Sequence, residues 1–294
     1  MNDYLLAVLL GIVEGLTEFL PVSSTAHLRI SQGLLHIDLA DGYWKMFAIA
    51  IQLGAILCLP VYFGRRILTL FSTYPRSEHD DRGPLTHPLG LTIVAFVVTA
   101  VPSFLLTRII GKNLESLRVM GLSLLVGGVA MWIVDAAHAN AEAAGFARGG
   151  SGRIHTWRMD DMTLPQAIWI GVCQIASAVF PGTSRSMSTI AGGQLAGMSR
   201  SAALEFSFFL SMPTMVAATG YDLLKSLLGR GENPIGASEI PSHGWLLLLI
   251  GLIVSFVVAY ASVGWFMAYV RRRGFAPFAI YRILVGLAVL LLFA

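Results

Sequence analysis

Two carboxylates, three hydroxyls and an imidazole fall within one apolar run: Glu14, Glu18, Ser23, Ser24, Thr25 and His27, in GIVEGLTEFLPVSSTAH at residues 11–27. Glu14 and Glu18 are four residues apart, so a helix puts them on one face. Carboxylates at bilayer depth are expensive and by default mark function. Pro21 breaks the helix, because it lacks a donor and disfavours helix at the residue before it. Ser23 or Ser24 then caps a second helix, whose first amides point into the break. Such a break is tolerated in a membrane only inside protein or beside a water-filled cavity.

A second run, PGTSRS at 181–186, offers the complementary chemistry. Gly182 relieves a turn. Ser184, Ser186 and the following amides are donors, and Arg185 carries a permanent fork suited to phosphate. Helix N-termini with an arginine favour an anion. Acid–base groups set against an anion clamp point to phosphoryl transfer or hydrolysis. Three assignments are open: Ser24 as nucleophile with Glu18 or His27 as base, His27 as nucleophile, or a water on a cation held by Glu14 and Glu18. Ser23, Thr25, Ser184 and Ser186 join Arg185 as candidate phosphate ligands. The two runs also repeat. GIVEGLTEFLPVSSTA lies over GVCQIASAVFPGTSRS at an offset of 160 residues, pairing Gly11 with Gly171, Glu14 with Gln174, Pro21 with Pro181 and Ser24 with Ser184.

The elements that position these groups follow from hydropathy. The 294 residues are 55% hydrophobic and 13% charged, with mean hydropathy +0.71, as in a polytopic membrane protein. Limbs at 4–20 and 24–36 fall short of the roughly 20 residues of a span, so they form a re-entrant hairpin, 4–36. Spans at 44–63, 89–107 and 117–136, with a polar loop at 65–87, complete a first repeat, 1–136. An Ala/Gly-rich, polar stretch at 137–162 reads as a mobile cytoplasmic linker. The second repeat, 163–294, holds a hairpin at 164–197 and spans at 203–225, 245–270 and 276–293. The expected fold is therefore all-α: inverted-topology repeats with six spans and two re-entrant hairpins. Three crossings per half invert the second copy, and the two tips meet near the midplane, acids of one facing the guanidinium of the other.

Loop charges set the orientation. One side collects Arg65, Arg66, Arg76, Arg82, Arg148, Arg153, Arg158, Arg200 and Arg271 to Arg273. The other has Lys45, Arg108, Lys112, Arg118, Lys225 and Arg230. The positive-inside rule puts the first side in the cytoplasm, with both termini and the mouth of the first hairpin outside. Net charge of +3 without basic runs interleaved with aromatics argues against nucleic acid. No basic leader with a cleavage site opens the chain. Cys58 and Cys173 read as small buried hydrophobes. Asp135 reads as the end of a span, and Glu205 and Asp222 as internal pairs or span ends.

The motifs EGLTEFLPVSSTAH and PGTSRS, with EFSFFLSMP at 205–213 and PFAIYR at 277–282, closely resemble the undecaprenyl pyrophosphate phosphatase family of bacterial membranes, the bacitracin-resistance family. The resemblance runs nearly end to end. It implies hydrolysis of undecaprenyl pyrophosphate to the monophosphate in the inner membrane, recycling of the lipid carrier for peptidoglycan, and bacitracin resistance. It also implies a divalent cation, Mg²⁺ or Ca²⁺. Glu14, Glu18, Ser24 and His27 fall on the first motif, Ser184 and Arg185 on the second. Two positions depart from the family pattern, Ala26 and Met187, where glycine is common. The partners expected are a polyprenyl pyrophosphate and the bilayer; a homodimer is left open. A secondary transporter or lipid flippase is the alternative, since broken helices and inverted repeats serve transport as well.

Overall fold

A computed structural model of the protein describes residues 2–38, 41–75, 83–110, 116–147, 154–230, 235–236 and 240–292. Among these residues the chain forms eleven α-helices and no extended strand. They are α1 (Asp3–Thr17), α2 (Ser24–Leu34), α3 (Gly42–Tyr62), α4 (Gly64–Thr73), α5 (Pro88–Ile110), α6 (Leu117–Ala147), α7 (Leu164–Val179), α8 (Arg185–Leu195), α9 (Arg200–Leu227), α10 (Ser242–Arg273) and α11 (Ala276–Leu292). Five are long and apolar enough to cross a membrane: α3, α9, and the apolar parts of α5, α6 and α10. The protein is a polytopic α-helical membrane protein. Its spans expose leucine, isoleucine and valine at helical spacing, such as Leu57 and Val61 on α3 or Ile93, Val97 and Val101 on α5. That is the composition of a lipid-facing stripe.

Helices α1 and α2 flank the break at Pro21, and α7 and α8 flank the break at Pro181. Three elements differ in detail from expectation. At the sixth expected span, 276–293, the described residues form α11, an apolar helix of 17 residues. The loop at 65–87 begins with α4, whose Leu70 is buried while Leu68 and Phe71 are exposed beside Arg65. Ten residues are too few to span, and this amphipathic pattern suits the membrane interface. Within the expected linker at 137–162, residues 148–153 lie outside the described residues, and the parts on either side are described. α6 continues through Ala147 because its end, AAHANAEAAGFA, is rich in alanine, the strongest helix former. Its later part, 154–158, is tied to α8's end: His155 N donates to Gly197 O at 3.0 Å, and Ser199 N to Thr156 O at 2.8 Å. Arg76, Arg82, Lys112, Arg148 and Arg153, all used in the charge count, lie outside the described residues.

The helices gather into two compact units, and each draws on both halves of the sequence. The first comprises Met1–Phe19, Ser24–Phe63 and Met212–Trp265. Its core joins Leu6, Ala7 and Leu10 of α1, Leu28 of α2, Met46, Phe47 and Ile51 of α3, and Leu247 and Leu248 of α10. α1 lies close on α10 because Gly11 and Gly15 face its backbone; a Cβ at Gly11 would stand 3.0 Å from the Gly251 carbonyl. Small residues let backbones approach where lipid supplies no hydrophobic drive.

The second unit comprises Leu20–Ser23, Gly64–Ser211 and Phe266–Ala294. α7 lies on α5 in the same manner, with Gly171 facing Ala95 O and Thr99 Oγ1 donating to Gly171 O at 2.8 Å. Buried Asp135 is the hub of this unit rather than a plain helix end. Its Oδ1 accepts from Arg200 Nε at 2.8 Å and Gln194 Nε2 at 3.2 Å, and its Oδ2 from the amides of Phe275 and Ala276 that open α11. One carboxylate thus ties α6, α8, α9 and α11. Glu205 is internally paired, accepting from Arg66 Nε at 3.0 Å, and Asp160 accepts from the same guanidinium at 2.6 Å. His87, fully buried, caps α5: Leu89 N donates to Nδ1 at 3.2 Å, which leaves the proton on Nε2, 3.1 Å from Thr73 Oγ1. Burial lowers its pKa below the ordinary 6.5.

Removing the Asp135 carboxylate strands a cation and two amides. Asp135→Ala is expected to destabilise the protein by about 3 kcal/mol, and Asp135→Asn by less. Thermal melts in detergent read this, and equal melting of Asp135→Ala and wild type would contradict it. The His87 cap contributes stability above pH 6.5 that is lost as the pH falls through the lowered pKa. His87→Ala is therefore expected to flatten the melting temperature between pH 7 and pH 5; an unchanged acid slope would refute the assignment.

Candidate active site

The first hairpin breaks between α1 and α2. Glu18 N still bonds Glu14 O at 2.9 Å, Val22 N turns back to Leu20 O at 2.8 Å, and Ser23 takes φ +74° before Ser24 opens α2. A non-glycine residue held at positive φ costs of order 1–3 kcal/mol, and such strain collects at functional sites. The turn brings Ser24 Oγ within 2.5 Å of Glu18 Oε2, with both residues buried. A hydroxyl on a buried carboxylate at this distance is a charge-assisted bond. It is also the contact a nucleophile needs with its base. Glu14 is fully buried on the same helix. His27 is half-buried three residues after Ser24, and Thr25 is exposed.

The second break repeats this construction with one residue more between its proline and its strained serine. Thr183 N bonds Phe180 O at 3.1 Å, Gly182 takes φ +88°, and Ser184 takes φ +72°. A side chain at Gly182 would run into the Met120 backbone at 2.7 Å, so turn and close approach both require glycine there. Ser184 caps α8, accepting from Met187 N at 3.4 Å. The strained serines, Ser23 and Ser184, are 161 residues apart, as are the 11-residue helices α2 and α8. The offset of 160 therefore holds for the first limbs and slips by one at the bend. Glu14 and Gln174, paired by that offset, are both buried.

Hydroxyl protons in the second break can be assigned. Ser186 Oγ donates to Leu20 O at 2.9 Å, so at the 3.0 Å contact between Ser184 and Ser186 the donor is Ser184. Ser186 thereby ties the two breaks together, because Leu20 belongs to the first. Arg185 is the first residue of α8 and is half-buried. A second tie was not anticipated from the sequence. Arg282 of α11 is fully buried, donating from Nη1 to Pro21 O at 3.0 Å and from Nη2 to Gly182 O at 3.2 Å and Ser123 O at 3.1 Å. Within the second unit, Pro21 and Gly182 thus share one guanidinium, that of Arg282. The signal was there to be read: a lone arginine in an apolar helix is a functional hypothesis by default. Met187, where glycine was expected, is buried against Gly127, whose missing side chain gives it room.

Known proteins share this sequence along nearly its whole length. The family model described as bacitracin resistance protein BacA matches residues 7–288. A protein of Koribacter versatilis named undecaprenyl-diphosphatase is 62% identical over 292 residues, covering 99% of this chain and 98% of that protein. Proteins of the same name from Thermus thermophilus and Caldanaerobacter subterraneus are 44% and 39% identical, covering 94% and 98% of this chain and 92% and 95% of their own lengths.

The strained serine makes a prediction of sign. Ser23→Gly removes the penalty at φ +74° and is expected to raise the melting temperature, whereas Ser23→Val lowers stability by about 1–3 kcal/mol. Melts of both variants in the same detergent would decide, and Val tolerated as well as Gly would rule out strain at this position.

Proposed function

The chain belongs to the BacA family of bacitracin resistance proteins, and from that premise we propose that its two helix breaks hydrolyse undecaprenyl diphosphate to undecaprenyl phosphate and inorganic phosphate. The observation that carries this reading is the buried 2.5 Å bond from Ser24 Oγ to Glu18 Oε2. A hydroxyl so placed loses its proton to the carboxylate as it attacks phosphorus.

The chemistry runs in two displacements. Ser24 Oγ attacks the terminal phosphorus, its proton passes to Glu18, and the bridging P–O bond breaks to release undecaprenyl phosphate. After Glu18 sheds that proton, water attacks the phosphoserine. Glu18 or His27 takes the water's proton and gives it to Ser24 Oγ as the P–Oγ bond breaks, which frees inorganic phosphate and restores the hydroxyl. Arg185, Ser184 and the first amides of α8 are assigned to the phosphate oxygens, where an arginine fork and a helix N-terminus stabilise spreading negative charge. Ser23 at the first break, Thr25 in the first turn of α2 and Ser186 in the first turn of α8 are the further candidate phosphate ligands.

Glu14 and Glu18 suit a hard divalent cation. Both are buried oxygen donors four residues apart, and the described residues offer no cluster of three metal-binding side chains. Two carboxylates plus substrate phosphate is the donor set Mg²⁺ commonly takes. When bound, the cation neutralises charge on the phosphates.

The same reading makes the protein a component of the inner membrane that recycles the carrier lipid for cell-wall synthesis. Inverted repeats are supported by the two hairpins with their matched proline breaks, strained serines and buried Glu14 and Gln174. Loop charges support termini and active-site opening on the outer face. The long apolar tail remains in lipid, and selection falls on the head group.

Purified protein is expected to release phosphate from a polyprenyl diphosphate. Ser24→Ala, Glu18→Gln and Arg185→Ala should each lower kcat by about 100-fold or more, the scale of a lost base or charge stabiliser. Mass spectrometry of a quenched turnover should find phosphate on Ser24. Phosphate release at near-normal rate by Ser24→Ala would exclude it as nucleophile.

A further inference from the structure

We infer that Arg282 is the positioning residue of this reaction: it holds both helix breaks in working geometry without itself touching substrate. The inference rests on the diphosphatase reading above. Three carbonyls from three segments converge on its fork, Pro21 in the first bend, Gly182 in the second and Ser123 in α6. The residue is wholly buried, and among the described residues it makes no ion pair. Backbone oxygens alone carry its charge.

The slot for this side chain is built by the fold. Gly127 on α6 leaves the space in which the guanidinium lies; a Cβ there would fall on Arg282 Nη2 and 2.9 Å from Met187 Cε. Gly128 lets α11 close on α6, since a Cβ would stand 2.9 Å from the Ala279 carbonyl. The arginine therefore projects from a helix seated on its neighbour, with a defined reach. Its acceptors sit where position matters most. Pro21 is three residues before Ser24, and Gly182 is three before Arg185. Ser186 adds a direct bond between the breaks through Leu20 O.

Geometry, not charge, is the operative property. Two separate nitrogens of a planar fork reach carbonyls of separate segments, which the single nitrogen of a lysine does not reproduce. A displacement of about 1 Å at a reacting group costs on the order of 100-fold in rate. Loss of Arg282 is therefore expected in kcat, with substrate binding largely kept.

The test compares Arg282→Met, Arg282→Lys and Gly127→Ala with wild type, measuring kcat and KM per folded molecule, with the folded fraction taken from size-exclusion profiles and melts. Both Arg282 variants are expected to lose about 100-fold in kcat with KM within about threefold, lysine rescuing little. Gly127→Ala, which crowds the fork and leaves its charge, is expected to lower kcat about tenfold at unchanged KM. Wild-type kcat in a folded Arg282 variant would overturn the inference. So would full rescue by lysine, a rise confined to KM, or a loss explained by folded fraction alone. If neither Arg282 variant folds, wild-type kcat in Gly127→Ala overturns it, and collapse of all three assigns Arg282 to folding. Absence of phosphate release from wild type itself would count against the diphosphatase reading instead.

Discussion

A helix interrupted at buried positions leaves carbonyls and amides without helical partners, and the structure around both breaks answers to that constraint. Each such group left unpaired costs several kcal/mol in hydrocarbon. The chain makes two interruptions, at Pro21 and Pro181, and brings them together. Arg282 then satisfies a carbonyl from each, and Ser186 satisfies Leu20. The bonds that make the breaks tolerable are also the bonds that fix them. Neighbouring helices supply the mounting, with Gly127 and Gly128 admitting α11 to α6 and Asp135 capping the start of α11.

Chemistry follows from the same interruption. In a continuous helix, Glu18 and a residue six positions later do not share a face. The turn through Ser23 at φ +74° folds the chain back so that Ser24 reaches Glu18. Strain at Ser23 and Ser184 is thus the local cost of two features: a hydroxyl held against a carboxylate, and a fresh helix N-terminus beside it. α8 uses its N-terminus differently, opening with Arg185 and a serine cap, an arrangement suited to anions.

Much of this was legible in the sequence, for reasons that can be named. The hairpin limbs were readable because proline is an unambiguous breaker, and acids in an apolar run have few structural uses. Gly11 and Gly171, paired by the sequence offset, perform the same packing task against α10 and α5. The one-residue slip at the second bend was not, since Ser24 and Ser184 match as letters while Ser23 and Ser184 match in backbone conformation. α4 was hidden in a polar loop because its apolar face is a single turn or two wide. α6 outran its expected end because alanine was read as linker composition when it is also the best helix former. The partners of Arg282 were not legible, since nothing local in PFAIYR announces acceptors 261, 159 and 100 residues away. Long-range carbonyl contacts leave no periodicity to read.

The central claim is that the joined breaks present Ser24 as a nucleophile, so that phosphorus undergoes two successive in-line displacements. The most direct test is the stereochemical course at the terminal phosphorus. It uses a polyprenyl diphosphate whose terminal thiophosphoryl group carries oxygen isotopes in a defined configuration, hydrolysed in isotopically labelled water. Each in-line displacement inverts configuration, so the phosphoserine route predicts net retention. Net inversion would mean that water attacks the diphosphate directly, and would contradict the account.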